Sequence, residues 1–477
     1  MASPHIEFTK EQRDFLNLKV TQGDLLLRGG AGTGKTLCAV EYTKDALRVE
    51  QENLFYATSC VGLLTFTKAL VGELKGIRAF KGRDEDAVMI NTIDSFVFHQ
   101  IGDTLEARGL NTRVREDQLL HFVEMAKAAV FEAGDTSALA QKGDEFFLEE
   151  IRWIKGNELN DLESYCKIKR TGRSLNERVT RENRAKIWEV YVEYARLLRE
   201  ASYWDFLDRQ AFLLHLLETG EVEPMFRHLT VDEVQDCSRL TIRMLKRLVI
   251  PGGTFLLVGD AAQKIYRNSF SWKSVGVHAQ GRRTTVLKQN HRNTRQIYRL
   301  GAEILAKVAE NAEFTEVLSP TTEGPIPVCY YADRSANLDR LVSLLKAVPK
   351  NQSCVVTLPT NEALERWKGE LSKQGITARD LRQKNTRAQS GLFISTFHSL
   401  KGLSVDKVVL LGIEAAEFPV ATSGEERTRD LQLLHTAVTR ARQEVTLLVN
   451  STLTSYLETL PETVLQRVYT PSFVLEF

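Results

Sequence analysis

Apolar runs and helical periodicity alternate along two separate stretches of this chain. Leu25-Leu26-Leu27 reads as a buried strand ending in a glycine-rich loop, Leu37 to Arg48 as a helix, and Val61 to Phe66 as the next strand. Strand-like runs return at Leu229-Thr230-Val231 and Phe255-Leu256-Leu257-Val258. Between them, residues 101–219 are mainly helical in pattern, with Ile187, Tyr191, Tyr194 and Leu198 at four-three-four spacing on one face. A second alternation begins near Gly281, with strand candidates Cys354-Val355-Val356-Thr357, Phe393-Ile394-Ser395, Val408 to Leu411 and Val445 to Val449. The loop Thr321 to Pro327 precedes most of it. The pattern predicts an α/β protein of two units. Residues 1–100 and 220–280 form the first, residues 101–219 are a helical insertion within it, and residues 281–477 form the second.

Composition narrows the class. Of 477 residues, 43% are hydrophobic and 26% charged, which excludes wholesale disorder. Glycine (29) and proline (11) are too few for a fibrous chain. No apolar run approaches the ~20 residues that span a bilayer, so a membrane partner is not expected. Met1 to Lys10 lacks a secretory pattern, and a cytoplasmic, nucleoid or nuclear location is the expectation. The 63 basic and 62 acidic residues give a net charge of +1, so any nucleic-acid surface must be local. None of the six cysteines forms a CxxC pair, which argues against a zinc site or a disulfide framework.

The candidate chemistry starts at Gly29-Gly30-Ala31-Gly32-Thr33-Gly34-Lys35-Thr36, which fits GxxxxGK[ST] between a strand and a helix. Backbone N–H groups of such a loop wrap phosphate oxygens and the helix N-terminus favours their charge. Lys35 is placed for the β and γ phosphates and Thr36 for magnesium. Asp232-Glu233-Val234-Gln235-Asp236 follows an apolar strand. An Asp at that strand end is the expected second magnesium anchor, and Glu233 beside it is placed to deprotonate an attacking water.

GGAGTGKT together with DEVQD resembles the UvrD/Rep-like branch of superfamily 1 helicases, and the resemblance continues in order along the chain. FTKEQRDF (Phe8 to Phe15) resembles the Q motif, TFTKAL from Thr65 motif Ia, and VGDAAQKIY from Val258 motif III. LKQNHRNTRQI from Leu287 resembles motif IV, STFHSLKGL from Ser395 motif V, and LHTAVTRAR from Leu434 motif VI. The resemblance implies two RecA-like P-loop NTPase domains in tandem that hydrolyse ATP with Mg2+ between them. It implies that Gln12 reads adenine, that Gln263 senses the γ-phosphate, and that Arg292 and Arg440 reach it from the second domain. A guanidinium suits that task because it is planar and permanently charged.

Three positions depart from the family: His291 where a base-stacking Tyr is usual, Leu37 where an Arg is frequent, and Ser404 where Glu is common. All three concern base and sugar, so nucleotide preference is expected to be relaxed. For a nucleic-acid track the resemblance offers Phe66 and Trp272 first, then Phe96, Tyr266 and Phe270, as rings on which bases stack. Thr67, Thr92, Thr396 and His398 would contact phosphates. One basic stretch, Lys167 to Lys186, carries eight Lys or Arg residues and is either a solvated helix face or a further strand contact.

Leu358 to Ser395 leaves no room for the large insertion that bigger relatives carry between motifs IV and V. The sequence therefore implies a compact ATP-dependent motor on single-stranded DNA, with 3′→5′ polarity by resemblance alone. The alternatives are a nucleotide-switched regulatory subunit acting with a nuclease or a repair or defence partner, and a motor on RNA.

Overall fold

The structure, a computed structural model, describes residues 8–18, 23–52, 60–66, 68–75, 88–107, 116–168, 179–260, 270–279, 281–308, 318–382, 390–400, 403–421 and 424–470. Two parallel sheets organise them. The first contains β1 (Gly23–Gly29), β2 (Val61–Thr65), β3 (Val88–Thr92), β4 (Phe226–Val231), β5 (Val249–Asp260) and β6 (Thr284–Leu287), in the spatial order β3-β2-β4-β5-β1-β6. The second contains β7 (Val328–Tyr331), β8 (Ser353–Leu358), β9 (Arg379–Asp380), β10 (Gly391–Thr396), β11 (Val405–Leu410), β12 (Ala441–Val449) and β13 (Gln466–Tyr469), in the order β13-β7-β12-β11-β8-β10-β9. Every strand pairing within the two sheets is parallel.

The apolar runs become central strands because helices cover both faces of a parallel sheet. β2 and β8 are buried along their whole length. The phosphate-loop strand β1 lies between β5 and β6, with Leu26 opposite Leu257 on one side and Thr284 on the other. Its C-terminal end is therefore where ligands collect in such folds.

The sheets correct the boundary expected at 281. β6 (Thr284–Leu287) pairs with β1 and completes the first sheet. The next helix, Arg295–Ala306, instead buries Ile297, Leu300 and Ile304 in the core of the second unit beside Leu431 and Leu434. The chain thus crosses between units over residues 288–294.

The helical insertion also has a sharper outline than its sequence pattern. Leu119, Val123, Phe147, Ile151, Tyr165, Ile187, Tyr194 and Leu198 form a core of their own. Ile187, Tyr194 and Leu198 are buried as their spacing predicts, and Tyr191 packs beside them against Trp188. Helix Phe206–Thr219, by contrast, joins the core of the first unit through Leu213, Leu214 and Leu217. A buried ionic joint ties the two cores together. Lys155 Nζ lies 2.7 Å from both Asp205 Oδ2 and Asp208 Oδ1. The Tyr194 hydroxyl donates to Asp205 Oδ2 at 3.2 Å.

Removing the cation would leave the buried Asp205 carboxylate facing the partly exposed Asp208 carboxylate with no counter-charge between them. Lys155→Ala is expected to destabilise by ~3–5 kcal/mol, read as a lower denaturant midpoint for the transition that includes the insertion. A loss below about 1 kcal/mol, the scale of an exposed pair, would show the joint to be dispensable.

Candidate nucleotide site and strand track

At the end of β1 the chain turns through Gly32 (φ +79°) and Gly34 (φ +86°) into helix Lys35–Gln51. Both glycines are in the left-handed region, where a Cβ is strained. Space excludes one as well: a Cβ on Gly34 would lie 2.4 Å from Gln12 Nε2, and one on Gly32 2.4 Å from Asn290 Oδ1. Gly34 caps the helix with no side-chain hydrogen bond. The first-turn N–H groups are thus left for an anion. Lys35 Nζ folds over the loop and donates to the Gly30 carbonyl at 2.8 Å.

β4 delivers the acidic partner. Asp232 is 1% exposed and accepts from the Thr36 hydroxyl at 2.8 Å. Burial and the adjacent Glu233 push its carboxyl up to about 6, against the pull of the Thr36 hydroxyl and Lys35. A buried carboxylate and a hydroxyl in contact are hard oxygen donors of the kind magnesium takes alongside substrate phosphates, and nothing in the pair disfavours that ion. Glu233 adopts φ +59°, an uncommon backbone state for a side chain of its size. Its N–H donates to Asp232 Oδ1 at 2.9 Å, and its carboxylate accepts from the Gln235 side chain. The turn holds two adjacent carboxylates in different environments.

Gln12 is 4% exposed and both ends of its amide are engaged: Nε2 donates to the Thr33 carbonyl and Oε1 accepts from the Thr9 N–H, each at 3.0 Å. Reading adenine would require exchanging these bonds. The crossing segment closes the other side of the loop. The His291 N–H donates to the Gly32 carbonyl at 2.9 Å, and a Cβ on Gly32 would sit 2.9 Å from Arg292 Cβ. His291 is exposed, and partial burial of its ring lowers its pKa below the usual imidazole value. Arg440 is 5% exposed, with Nε donating to the Thr436 carbonyl at 3.2 Å and Nη1 to Leu403 at 3.4 Å. Arg292 therefore adjoins the loop, whereas Arg440 is held by carbonyls of its own unit. Gln263 lies outside the described residues.

The strand-track candidates divide. Phe66 stands exposed at the end of β2. Trp272 is half-buried, edge-on to Phe270 with ring centres 6.1 Å apart. Phe96 is a correction: it is 1% exposed and packs on Phe226 at 5.5 Å, so it is a core residue. Thr67 and Tyr266 lie outside the described residues. Thr92 and Thr396 are buried and make the same turn at the ends of β3 and β10. Thr92 Oγ1 donates to Ser95 Oγ at 2.8 Å and accepts the Ser95 N–H. Thr396 does the same with Ser399, at 2.9 Å. The repeated Thr-x-x-Ser after a strand was the available signal for Ser95 and Ser399, which sequence reading missed. His398 is exposed beside the second turn.

Much of the described part of the basic stretch has local work. Arg184 Nη1 donates to the carbonyls of Tyr165, Cys166 and Ile168, closing the end of helix Leu162–Lys167. Lys167 pairs with Glu163 and Lys186 with Glu189. Lys169, Arg170, Arg173 and Arg178 lie outside the described residues. Among the described residues no cluster of three His, Cys, Asp or Glu forms a metal site, and no helix is long and apolar enough to cross a membrane.

Comparison with known proteins agrees with this geometry. The family model of the UvrD/REP helicase N-terminal domain matches residues 8–272, and that of the UvrD-like helicase C-terminal domain matches residues 329–452. The chain is 26% identical over 331 residues to the ATP-dependent DNA helicase PcrA of Bacillus subtilis, covering 66% of this chain and 41% of that protein. It is 23% identical over 302 residues to the ATP-dependent DNA helicase Rep of Buchnera aphidicola, covering 60% and 41%. A putative ATP-dependent DNA helicase, YjcD of Bacillus subtilis, is 23% identical over 350 residues, covering 69% and 43%. The chain thus spans about two fifths of the length of these relatives. With both halves matched in order on two parallel sheets, the chain belongs to the UvrD/REP helicase family.

Proposed function

We propose that this protein hydrolyses ATP and couples the reaction to movement along single-stranded DNA. The observation that carries the proposal is the joining of three groups at one point: the glycine loop, the Thr36–Asp232 pair from the first sheet, and the Arg292 segment from the crossing to the second. Triphosphate entry draws Lys35 Nζ from the Gly30 carbonyl to the β and γ phosphates. A magnesium ion held by Thr36 and Asp232 with those phosphates would supply charge neutralisation at the site. Glu233 takes a proton from water as the water oxygen bonds to the γ-phosphorus and the bond to the bridging oxygen breaks. Arg292 and Arg440 offset the charge on the departing group. Opening and closing of the units then alternates grip on a strand that crosses Phe66, Trp272 and the two Thr-x-x-Ser turns.

The test is displacement of duplexes carrying a 3′ or a 5′ tail, with Glu233→Gln as control. The expected result is ATP-dependent displacement of the 3′-tailed duplex, the polarity the family resemblance suggests. Slow, strand-independent turnover without displacement would favour a nucleotide-switched regulator, and equal competition by matched RNA would widen the substrate class.

His291, Leu37 and Ser404 occupy positions that concern base and sugar, and the amide of Gln12 is engaged inside the protein. Turnover constants for ATP and GTP are therefore expected to agree within about tenfold, the discrimination that one hydrogen bond of ~1.4 kcal/mol supplies. A much larger preference for ATP would show that Gln12 exchanges its partners for adenine.

A further inference from the structure

Residues 290–293 do more than carry an arginine. The Asn290 side chain is buried at 3% exposure, and its Oδ1 accepts the backbone N–H groups of Arg292 at 2.9 Å and Asn293 at 3.2 Å. Its Nδ2 donates to Asn293 Oδ1 at 3.0 Å. Asn293 is 2% exposed, and its Nδ2 donates to the carbonyls of Thr439 at 3.0 Å and Ala441 at 2.6 Å. Those carbonyls flank Arg440. Two buried amides thus link the backbone that carries Arg292 to the backbone that carries Arg440. The phosphate loop touches the same pair, because Gly32 approaches Asn290 Oδ1 so closely that a Cβ would clash. From the first unit, the Glu11 carboxylate accepts the N–H groups of Lys288 at 2.8 Å and Gln289 at 3.4 Å, bracing the entry to this segment.

The Asn290–Asn293 link and the bonds of Asn293 to Thr439 and Ala441 are buried, where a satisfied network is stiff and a broken one is costly. An amide is also the suitable group at position 293. It accepts from Asn290 while donating to two carbonyls, which neither a hydroxyl with its single proton nor a carboxylate can do.

We propose that Asn290 and Asn293 are positioning residues that hold Arg292 and Arg440 in one frame against the phosphate loop, so that both arginines move as a unit on nucleotide binding. The proposal rests on the reading of these arginines as γ-phosphate contacts.

The test uses Asn293→Asp, which keeps the shape and removes both donors, and Asn290→Asp, which keeps the acceptor for two N–H groups and removes only the link to Asn293. Each is measured for ATP turnover with saturating single-stranded DNA, for affinity toward a non-hydrolysable ATP analogue, and for thermal midpoint, both alone and combined with Arg440→Lys. For Asn293→Asp the expected loss of turnover is about 10–100-fold, the scale of a small misplacement of reacting groups. For Asn290→Asp it is about tenfold, one hydrogen bond. Analogue affinity should stay close to that of the unmodified protein, whereas the thermal midpoint should fall in both variants while the fold is kept, and furthest for Asn293→Asp, whose carboxylate faces two buried carbonyls. In the Arg440→Lys background each Asn substitution should cost less than about threefold, since residues acting as one unit are non-additive.

Equal factors in both backgrounds, unchanged turnover, or loss of folding in both Asn variants would overturn the pair as a positioning device. Full turnover by Arg440→Lys itself would instead remove the arginine reading on which the pair depends.

Discussion

Arg440→Ala is expected to lower strand-stimulated ATP turnover by ~10³–10⁵, the range for arginines that meet a transferring phosphoryl group. Affinity for a non-hydrolysable analogue should change far less. The expectation follows from where the side chain is held. Arg440 is almost fully buried, and its guanidinium donates to the carbonyl oxygens of Thr436 and Leu403. Carbonyl dipoles orient the fork, and the backbone on either side is gripped by Asn293. An arginine kept this way loses little when it exchanges a neutral carbonyl for a phosphate oxygen. Steady-state hydrolysis together with analogue titration measures the effect. A loss under about tenfold, the value of one ordinary hydrogen bond, would place Arg440 in packing rather than chemistry.

Glu233→Gln is expected to lower turnover by ~10²–10⁴, the usual contribution of a positioned general base, while leaving nucleotide binding intact. Asp232 and Glu233 are consecutive carboxylates with different surroundings. Asp232 is buried, bonded to Thr36, and has its carboxyl raised to about 6. Glu233 turns away at φ +59° and is bonded to Gln235. Gln is nearly isosteric and keeps hydrogen-bonding capacity, so only the ability to take a proton is lost. Rapid-quench measurement of a single turnover separates chemistry from product release. An unchanged single-turnover rate would move the proton acceptor elsewhere, with Asp232→Asn as the next variant.

Local chemistry was readable residue by residue. The phosphate loop, Lys35, Thr36 and the DEVQD turn are short segments whose spacing alone sets their backbone shape, and the structure gives each the expected strand and helix context. The long apolar runs became β2, β4, β5, β8 and β12 because continuous apolarity suits only a strand covered on both faces. Shorter strands were harder. β7 and β13 have only four residues each, too little pattern to count. β3 (Val88–Thr92) alternates buried and half-buried positions over only five residues, again too short a pattern to stand out.

Other errors came from contacts that spacing does not encode. Phe96 looked like a stackable ring but fills the core against Phe226. Arg184 belongs to a stretch whose sequence offers a solvated face or a strand contact, yet it closes a helix end. Asn290 and Asn293 carry no signal in the sequence that sets them apart within the segment around Arg292. Their partners at Thr439 and Ala441 are far along the chain, and an amide side chain carries no signal of which carbonyl it will meet.

The sequence by itself determined the two α/β units, the anion-binding loop, and the acidic turn that faces it, because strand periodicity and a glycine-rich loop act within a few neighbouring residues. Only the tertiary structure decided that Thr284–Leu287 completes the first sheet, that residues 288–294 bridge the units, and that buried amides join the two arginine segments. Those choices depend on which distant backbone groups must be satisfied once water is excluded, and that condition exists only after the chain has packed.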